Sequence, residues 1–240
     1  MLAILKKELR YFFSTATGYI VVFIFLFFLS ALLWIIPGEY NILDAGYANV
    51  DGLFYLAPWL FLFLCPAVTM RLFAEEKQNG TWELLATKPI SKFSIVFGKY
   101  IAGWLLVSIA LIPTLIYYFS VSYIAEPQGN VDSGAFWGSF IGLFFLTAVY
   151  VAIGIFASSL SKNQIVSFIL AVLISFFFYY GFEVIASFSH NAQSIHFFEL
   201  LGIHVHYKSM SRGVIDSRDI AYFVLISGTF LSATIWRIRK

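Results

Sequence analysis

Long uncharged stretches separated by short charged clusters dominate the chain. Six such runs stand out, at residues 18–36, 53–70, 100–125, 135–160, 165–182 and 220–236. Each approaches or exceeds the ~20 residues that an α-helix needs to cross ~30 Å of hydrocarbon. In lipid the backbone polar groups must be satisfied within the segment, so runs of this length predict helices, and the absence of period-two alternation argues against a barrel. The pattern therefore predicts an all-α, polytopic membrane protein with six transmembrane helices. The first run exceeds the short core of a signal peptide, and Pro37-Gly38-Glu39 offers no small-x-small cleavage pattern, so it reads as a retained span. No internal repeat or composition break marks a second domain, and residues 1–240 read as one membrane domain.

Composition agrees. Apolar residues make up 60% of the chain and charged residues 12%, against about 25% charged in soluble globular proteins. Too little polar surface is available to coat a globule in water, which excludes a cytosolic enzyme, a disordered tail and a secreted disulfide scaffold. The single Cys65 excludes an intrachain disulfide and a cysteine-based zinc cluster. Six spans put both termini on one side. Of the 15 Lys and Arg residues, all but Lys208, Arg212 and Arg218 fall on that side, which the positive-inside bias assigns to the cytoplasm. The net charge of +2 conceals this asymmetry and carries no implication of nucleic acid.

The segments between spans carry the chemistry. Leu2, Leu5, Leu9 and Phe12 recur at helical spacing, with Lys6, Lys7, Glu8 and Arg10 on other faces, predicting an amphipathic helix lying at the membrane interface. It reads equally as a topology anchor or as a contact surface. In the inside loop, Asn79-Gly80 signals a turn, Thr81 is placed to cap a short helix, Pro89 discourages its continuation and Ser91 is placed to cap the next helix. Trp82, Leu84 and Leu85 are more apolar than a solvated connector requires. Two readings stand: interfacial anchors, or side chains that fill a groove on a cytoplasmic protein, with Glu75, Glu76 and Glu83 meeting basic residues there. Outside, the segment before the last span carries Ile195, Phe197, Phe198, Leu200, Leu201 and Ile203 around Gly202. Of its histidines, His190, His196, His204 and His206, no two are spaced i, i+4 with a cysteine nearby, and an interfacial role outweighs a metal site. Arg212, Asp216, Arg218 and Asp219 form a mixed-sign cluster suited to the headgroup level. Intramembrane charge is almost absent; Glu183, at the outer end of span five, reads as a loop anchor.

The run Glu75-Glu76-Lys77, Gly80-Thr81, Glu83-Leu84-Leu85, Thr87, Pro89-Ile90-Ser91, Gly98-Lys99 resembles the loop between the second and third helices of type-2 ABC exporter permeases. Ser211-Arg212-Gly213-Val214-Ile215-Asp216 with Asp219 resembles a second stretch of the same family, and within the family the likeness is to permeases of gliding-motility-associated transporters. The resemblance implies a permease in the bacterial inner membrane that exports or does mechanical work. It binds no cofactor of its own, because ATP is bound by a separate ABC nucleotide-binding subunit. Contact with that ATPase would fall on Glu75, Glu76, Gly80, Thr81, Trp82, Glu83, Leu84, Leu85, Thr87 and Pro89, the coupling helix. Phe197, Phe198, Leu200, Leu201, Arg212, Gly213 and Asp216 would belong to an external lid that re-enters the outer leaflet. A second permease chain, identical or related, and membrane lipid complete the expected partners. In accord with this division, Gly98-Lys99 is followed by Tyr100 and has Phe93 five residues before it, so no phosphate-binding loop forms there.

Other classes make different demands. An ion-coupled secondary transporter calls for charged residues or broken helices in matching halves, and a membrane enzyme calls for a nucleophile, base or metal cluster at one face; neither pattern is visible. A non-transporting membrane scaffold stays open on sequence alone.

Overall fold

The computed structural model describes residues 1–189 and 191–239. Among these, every regular element is helical: α1 (Leu2–Ser14), α2 (Ala16–Ser30), α3 (Asp51–Thr69), α4 (Arg71–Gln78), α5 (Thr81–Ala86), α6 (Lys92–Leu111), α7 (Leu115–Ile124), α8 (Ser133–Leu160), α9 (Gln164–Phe176), α10 (Phe182–Ser187), α11 (Ala192–Leu201), α12 (Ile203–Met210) and α13 (Ser217–Arg237). Six helical stretches are long and apolar enough to cross a membrane: Ala16–Ile35, Asp51–Gln78, Lys92–Ile124, Ser133–Leu160, Gln164–Ser187 and Ser217–Arg237. The chain is an all-α polytopic membrane protein.

The fourth span, α8, is the hub. Its most apolar window is 72% buried within the chain, against 22% for the first, fifth and sixth spans, which leave most of their apolar surface facing outward. α13, α9, α3 and α6 all pack on it. Small residues make this approach feasible, as expected where lipid offers no hydrophobic drive for helix association. At Gly154, a Cβ would lie 2.0 Å from the Thr69 hydroxyl oxygen of α3, so only hydrogen fits there.

Several spans outrun their uncharged cores. The second continues past Met70 through α4, and the third begins at Lys92 rather than Tyr100. It carries Lys99 fully buried in its first half, although that lysine is expected to mark a loop. Pro58 and Pro66 are accommodated inside α3, whereas Pro113 sits in a 3₁₀ turn, Ile112–Thr114, that separates α6 from α7. π-helical turns end the first span (Ala31–Ile35) and join α9 to α10 (Phe177–Gly181).

α1 forms as expected, but its buried stripe is Ile4, Glu8 and Phe12; Leu2 is exposed and Leu5 and Leu9 are half-buried. An acid thus occupies the apolar face. At the start of α5, Gly80 with φ 70° takes the capping position, and the Thr81 side chain donates back to the Glu76 carbonyl (3.3 Å) instead of capping. Ser91 does cap α6, accepting from the Ser94 amide at 3.2 Å.

Candidate functional site

At the end of the bundle that carries both termini, α4 and α5 form a hairpin reversed at Asn79-Gly80. Its residues divide into two sets. Gly80, Thr81, Glu83, Leu84, Thr87 and Pro89 face outward, with Leu84 67% exposed. Trp82 and Leu85 turn partly inward, and the Trp82 ring meets Phe73 edge-on at 5.5 Å. Glu75 accepts the Tyr11 hydroxyl of α1 at 2.8 Å, while Glu76 is buried.

What Glu76 faces is a closed ring of alternating charge. Lys99 lies 2.9 Å from Glu8 and 2.9 Å from Glu76; Lys7 closes the circuit, 2.5 Å from Glu76 and 3.4 Å from Glu8. Lys99 also donates to the Leu72 carbonyl at 2.5 Å and lies 5.1 Å from the centre of the Phe73 ring. Three elements meet here: α1, α4 and α6. Burial by itself would drive Glu8 toward its neutral form, but Lys99 and Lys7 outweigh it and hold its pKa below the ordinary value. Burial likewise opposes charge on Lys7, and Glu76 with Glu8 outweighs it, so that pKa is raised. One oxygen of Glu76 is buried with no hydrogen-bond partner, so its charge balance depends on the other oxygen's contacts. Beside the ring, Arg71 stacks over Tyr11 (4.6 Å) and Phe12 (5.1 Å), adding to the seam between α1 and α4.

A second clamp holds α4 to the hub. The Ser158 hydroxyl of α8 accepts from the amides of Phe73 (3.0 Å) and Ala74 (3.1 Å) and donates to the Met70 carbonyl (2.8 Å). First-turn amides have no partner in their own helix, and this side chain supplies one. Sequence reading passed over Ser158 because a serine in a small-residue helix is unremarkable. It also passed over the pairing of Glu8 with Lys99, although Glu8 falls at i+4 from Ile4 and at i−4 from Phe12, a visible anomaly.

At the opposite end, α10, α11 and α12 form the segment read as a lid. Phe197, Leu200 and Leu201 are exposed and Phe198 is half-buried. The segment is tied down after them. Tyr207 donates to the Phe54 carbonyl at 2.7 Å, and Ser139 of α8 donates to the Ser211 carbonyl at 2.9 Å. Gly213, with φ 82°, lies so close to α8 that a Cβ would sit 2.4 Å from the Ala135 Cα. Asp216 accepts from the Arg218 amide at 2.9 Å, capping α13.

The charge cluster there is arranged differently from the expectation. Asp219 is buried and pairs with His206 (2.7 Å), whose other ring nitrogen is 3.0 Å from the Leu200 carbonyl and whose ring stacks on Tyr222 at 3.9 Å. Arg212 and Arg218 reach no carboxylate within 4.0 Å among the described residues, while Asp219 faces His206 and Asp216 caps the helix start. Glu183 Oε2 lies 2.8 Å from His204 Nδ1 but is buried without a hydrogen bond. Among the described residues, no three metal-ligating side chains converge; His190 lies outside them.

Six apolar spans around a small-residue hub, with a surface hairpin braced from three sides, define a multi-pass membrane protein. The chain belongs to the ABC-2 transporter family: the family described as ABC-2 family transporter protein matches residues 40–198. Its members are permeases rather than ATPases and work with an ABC ATPase subunit. The matched stretch begins after α1 and α2, contains the hairpin and ends before residues 211–219. A search of curated proteins finds no match to this chain.

Proposed function

We propose that the chain is the membrane half of an ATP-driven exporter in a bacterial inner membrane, with both termini and the hairpin cytoplasmic, and that a separate ATPase subunit bears on the outward face of α5. The observation that carries this reading is the contrast within the hairpin. Its inner face is fastened by the Glu76–Lys99–Glu8–Lys7 ring and by Ser158, whereas Leu84 stands 67% exposed between Glu83 and Thr87. A braced lever with an uncovered apolar tip suits a part that receives force and passes it to α1, α6 and α8 together. In this reading Glu76 positions the hairpin from within, and Gly80, Thr81, Glu83, Leu84, Thr87 and Pro89 make the contact.

The buried charges also bear on an ion-coupled transporter. The ring is neutral and closed, however, and it lies at one end of the bundle, with no counterpart in a second half among the described residues. At the other end, the segment from α10 to α12 acts as an external lid, fastened to α8 through Gly213 and Ser211. The resemblance to gliding-motility transporters points to assembly with a second, non-identical permease chain and to mechanical work as one output.

The test is Leu84→Asp in the intact permease, with co-purification of a co-expressed ABC ATPase subunit. Loss of a buried interface anchor costs about 2 kcal/mol or more, so retention should fall at least about tenfold while the melting temperature in detergent stays the same. A cysteine at position 79 should label only from the cytoplasmic side. Unchanged retention, or labelling of position 79 from outside intact cells, overturns the reading.

A further inference from the structure

A cavity of about 610 Å³ opens at the end of the bundle opposite the termini, between α3, α12 and the π-helical turn Phe177–Gly181. Its size falls within the range of small-molecule sites, about 300–1,000 Å³. Two independent features mark it as a binding site.

The first is the π turn. Such single-turn widenings in α-helices concentrate at functional sites, because they change which side chains share a face. Here adjacent residues Tyr179 and Tyr180 both line the cavity, and they flank Trp59 of α3 at 5.6 and 6.1 Å between ring centroids. The result is an aromatic wall with several ring faces and edges in reach of one ligand.

The second is the distribution of charge. Two acids line the other walls: Asp51, which accepts from the Asn49 side chain at 2.9 Å, and Glu183, whose Oε2 lies 2.8 Å from His204 but makes no hydrogen bond. The two strong cations, Lys208 and Arg212, are exposed on the α12 wall, and neither reaches a carboxylate within 4.0 Å among the described residues. An aromatic platform beside two cations that pair with no carboxylate among the described residues is complementary to a molecule with an apolar or ring body and an anionic head.

We infer that this cavity binds an amphipathic phosphate ester, its phosphate at Lys208 and Arg212 and its body against Trp59, Tyr179 and Tyr180. The inference stands on the cavity walls and does not depend on the identity of the energy-supplying partner. Both a lipid headgroup and a free phosphate present the same anionic chemistry, and the aromatic wall favours the lipid.

The test uses the full chain in maltoside detergent, without an ATPase partner, so that its outcome is separate from that of the coupling reading. Dodecyl phosphate, dodecyltrimethylammonium and inorganic phosphate are each titrated and followed by calorimetry. Dodecyl phosphate should bind saturably at one site per chain. Loss of charge-assisted hydrogen bonds in the double variant Lys208→Gln/Arg212→Gln should weaken it about tenfold or more. Trp59→Leu should weaken it as well, and both cation positions are exposed enough for the double variant to fold. Equal affinity in the double variant overturns the proposal. So does tighter binding of the ammonium amphipath, which would assign the site to a cation caged by aromatics and Glu183. Inorganic phosphate binding as tightly as dodecyl phosphate would also overturn it, since the aromatic wall would then contribute nothing.

Discussion

Replacing Lys99 with methionine is the most direct perturbation of the charge ring. The side chain keeps most of its apolar stem and loses its charge, so Glu8 and Glu76 lose the ammonium that lies 2.9 Å from each, and the Leu72 carbonyl and the Phe73 ring lose the same group. Removing one partner of a buried ion pair costs about 3–5 kcal/mol, because the remaining charge is left uncompensated. Lys7 is half-exposed but still contacts both carboxylates, which places the expected loss at the lower end, about 3 kcal/mol. The triple variant Glu8→Gln/Glu76→Gln/Lys99→Met removes every buried charge of the ring and should recover much of that loss. The assay is thermal unfolding in detergent, read beside the protease sensitivity of α1.

The same ring makes α1 docking depend on pH, with the sign fixed by the shifts. The Glu8 pKa is lowered, so its contribution is complete above the ordinary carboxylate value and is lost as pH falls through the depressed one. The Lys7 pKa is raised, so its contribution is complete below the ordinary lysine value and is lost as pH rises through the elevated one. Protease sensitivity of α1 should therefore be flat around neutrality and rise at both extremes. A Lys99→Met protein as stable as the parent, or a triple variant no better than the single one, refutes the reasoning.

Two further substitutions probe the other braces. Ser158→Ala strands the Phe73 and Ala74 amides, and leaving buried donors unsatisfied costs about 1–3 kcal/mol; the melting temperature should fall and amide exchange at the start of α4 should quicken. Gly213→Ala forces a side chain onto a left-handed residue, costing about 1–2 kcal/mol before the 2.4 Å approach to Ala135 is counted. Exchange should quicken in α12 and leave the hairpin unchanged, and equal protection in both regions would contradict the assigned contact.

The six spans, the hairpin turn at Asn79-Gly80 and the Ser91 cap were legible in the sequence because each depends on local chemistry. Uncharged runs must be helical in lipid, a glycine permits positive φ, and a serine before a helix accepts an amide. The outer segment was legible as a motif without a reason. The contacts supply one: Ser211 offers its carbonyl to Ser139, Gly213 leaves room for Ala135, and Asp216 caps α13. The hydroxyl clamp at Ser158 joins residues 84 and 85 positions apart, and no window of sequence contains both sides of it.

The boundary errors have one physical source. Ending a span at its first charge assumes that each charge must reach water, and Lys99 does not, because Glu8, 91 residues away, comes to it. Neither anomaly is interpretable alone: an acid in the apolar stripe of α1 looks like imperfect amphipathicity, and a lysine near a span end looks like a loop. Together they constrain each other. A buried cation without a counter-charge would cost more than the fold of a membrane helix can spare, so Lys99 requires an acid from another element. Glu8, flanked by Ile4 and Phe12 at one helical turn on either side, is an acid that has no water to face once α1 docks. Glu76 completes the set because α4 continues the second span in the same register that buries Leu72 and Phe73. The three elements that carry these residues therefore specify one another's positions, and the hairpin inherits its rigidity from charges that hydropathy alone would have assigned to the solvent.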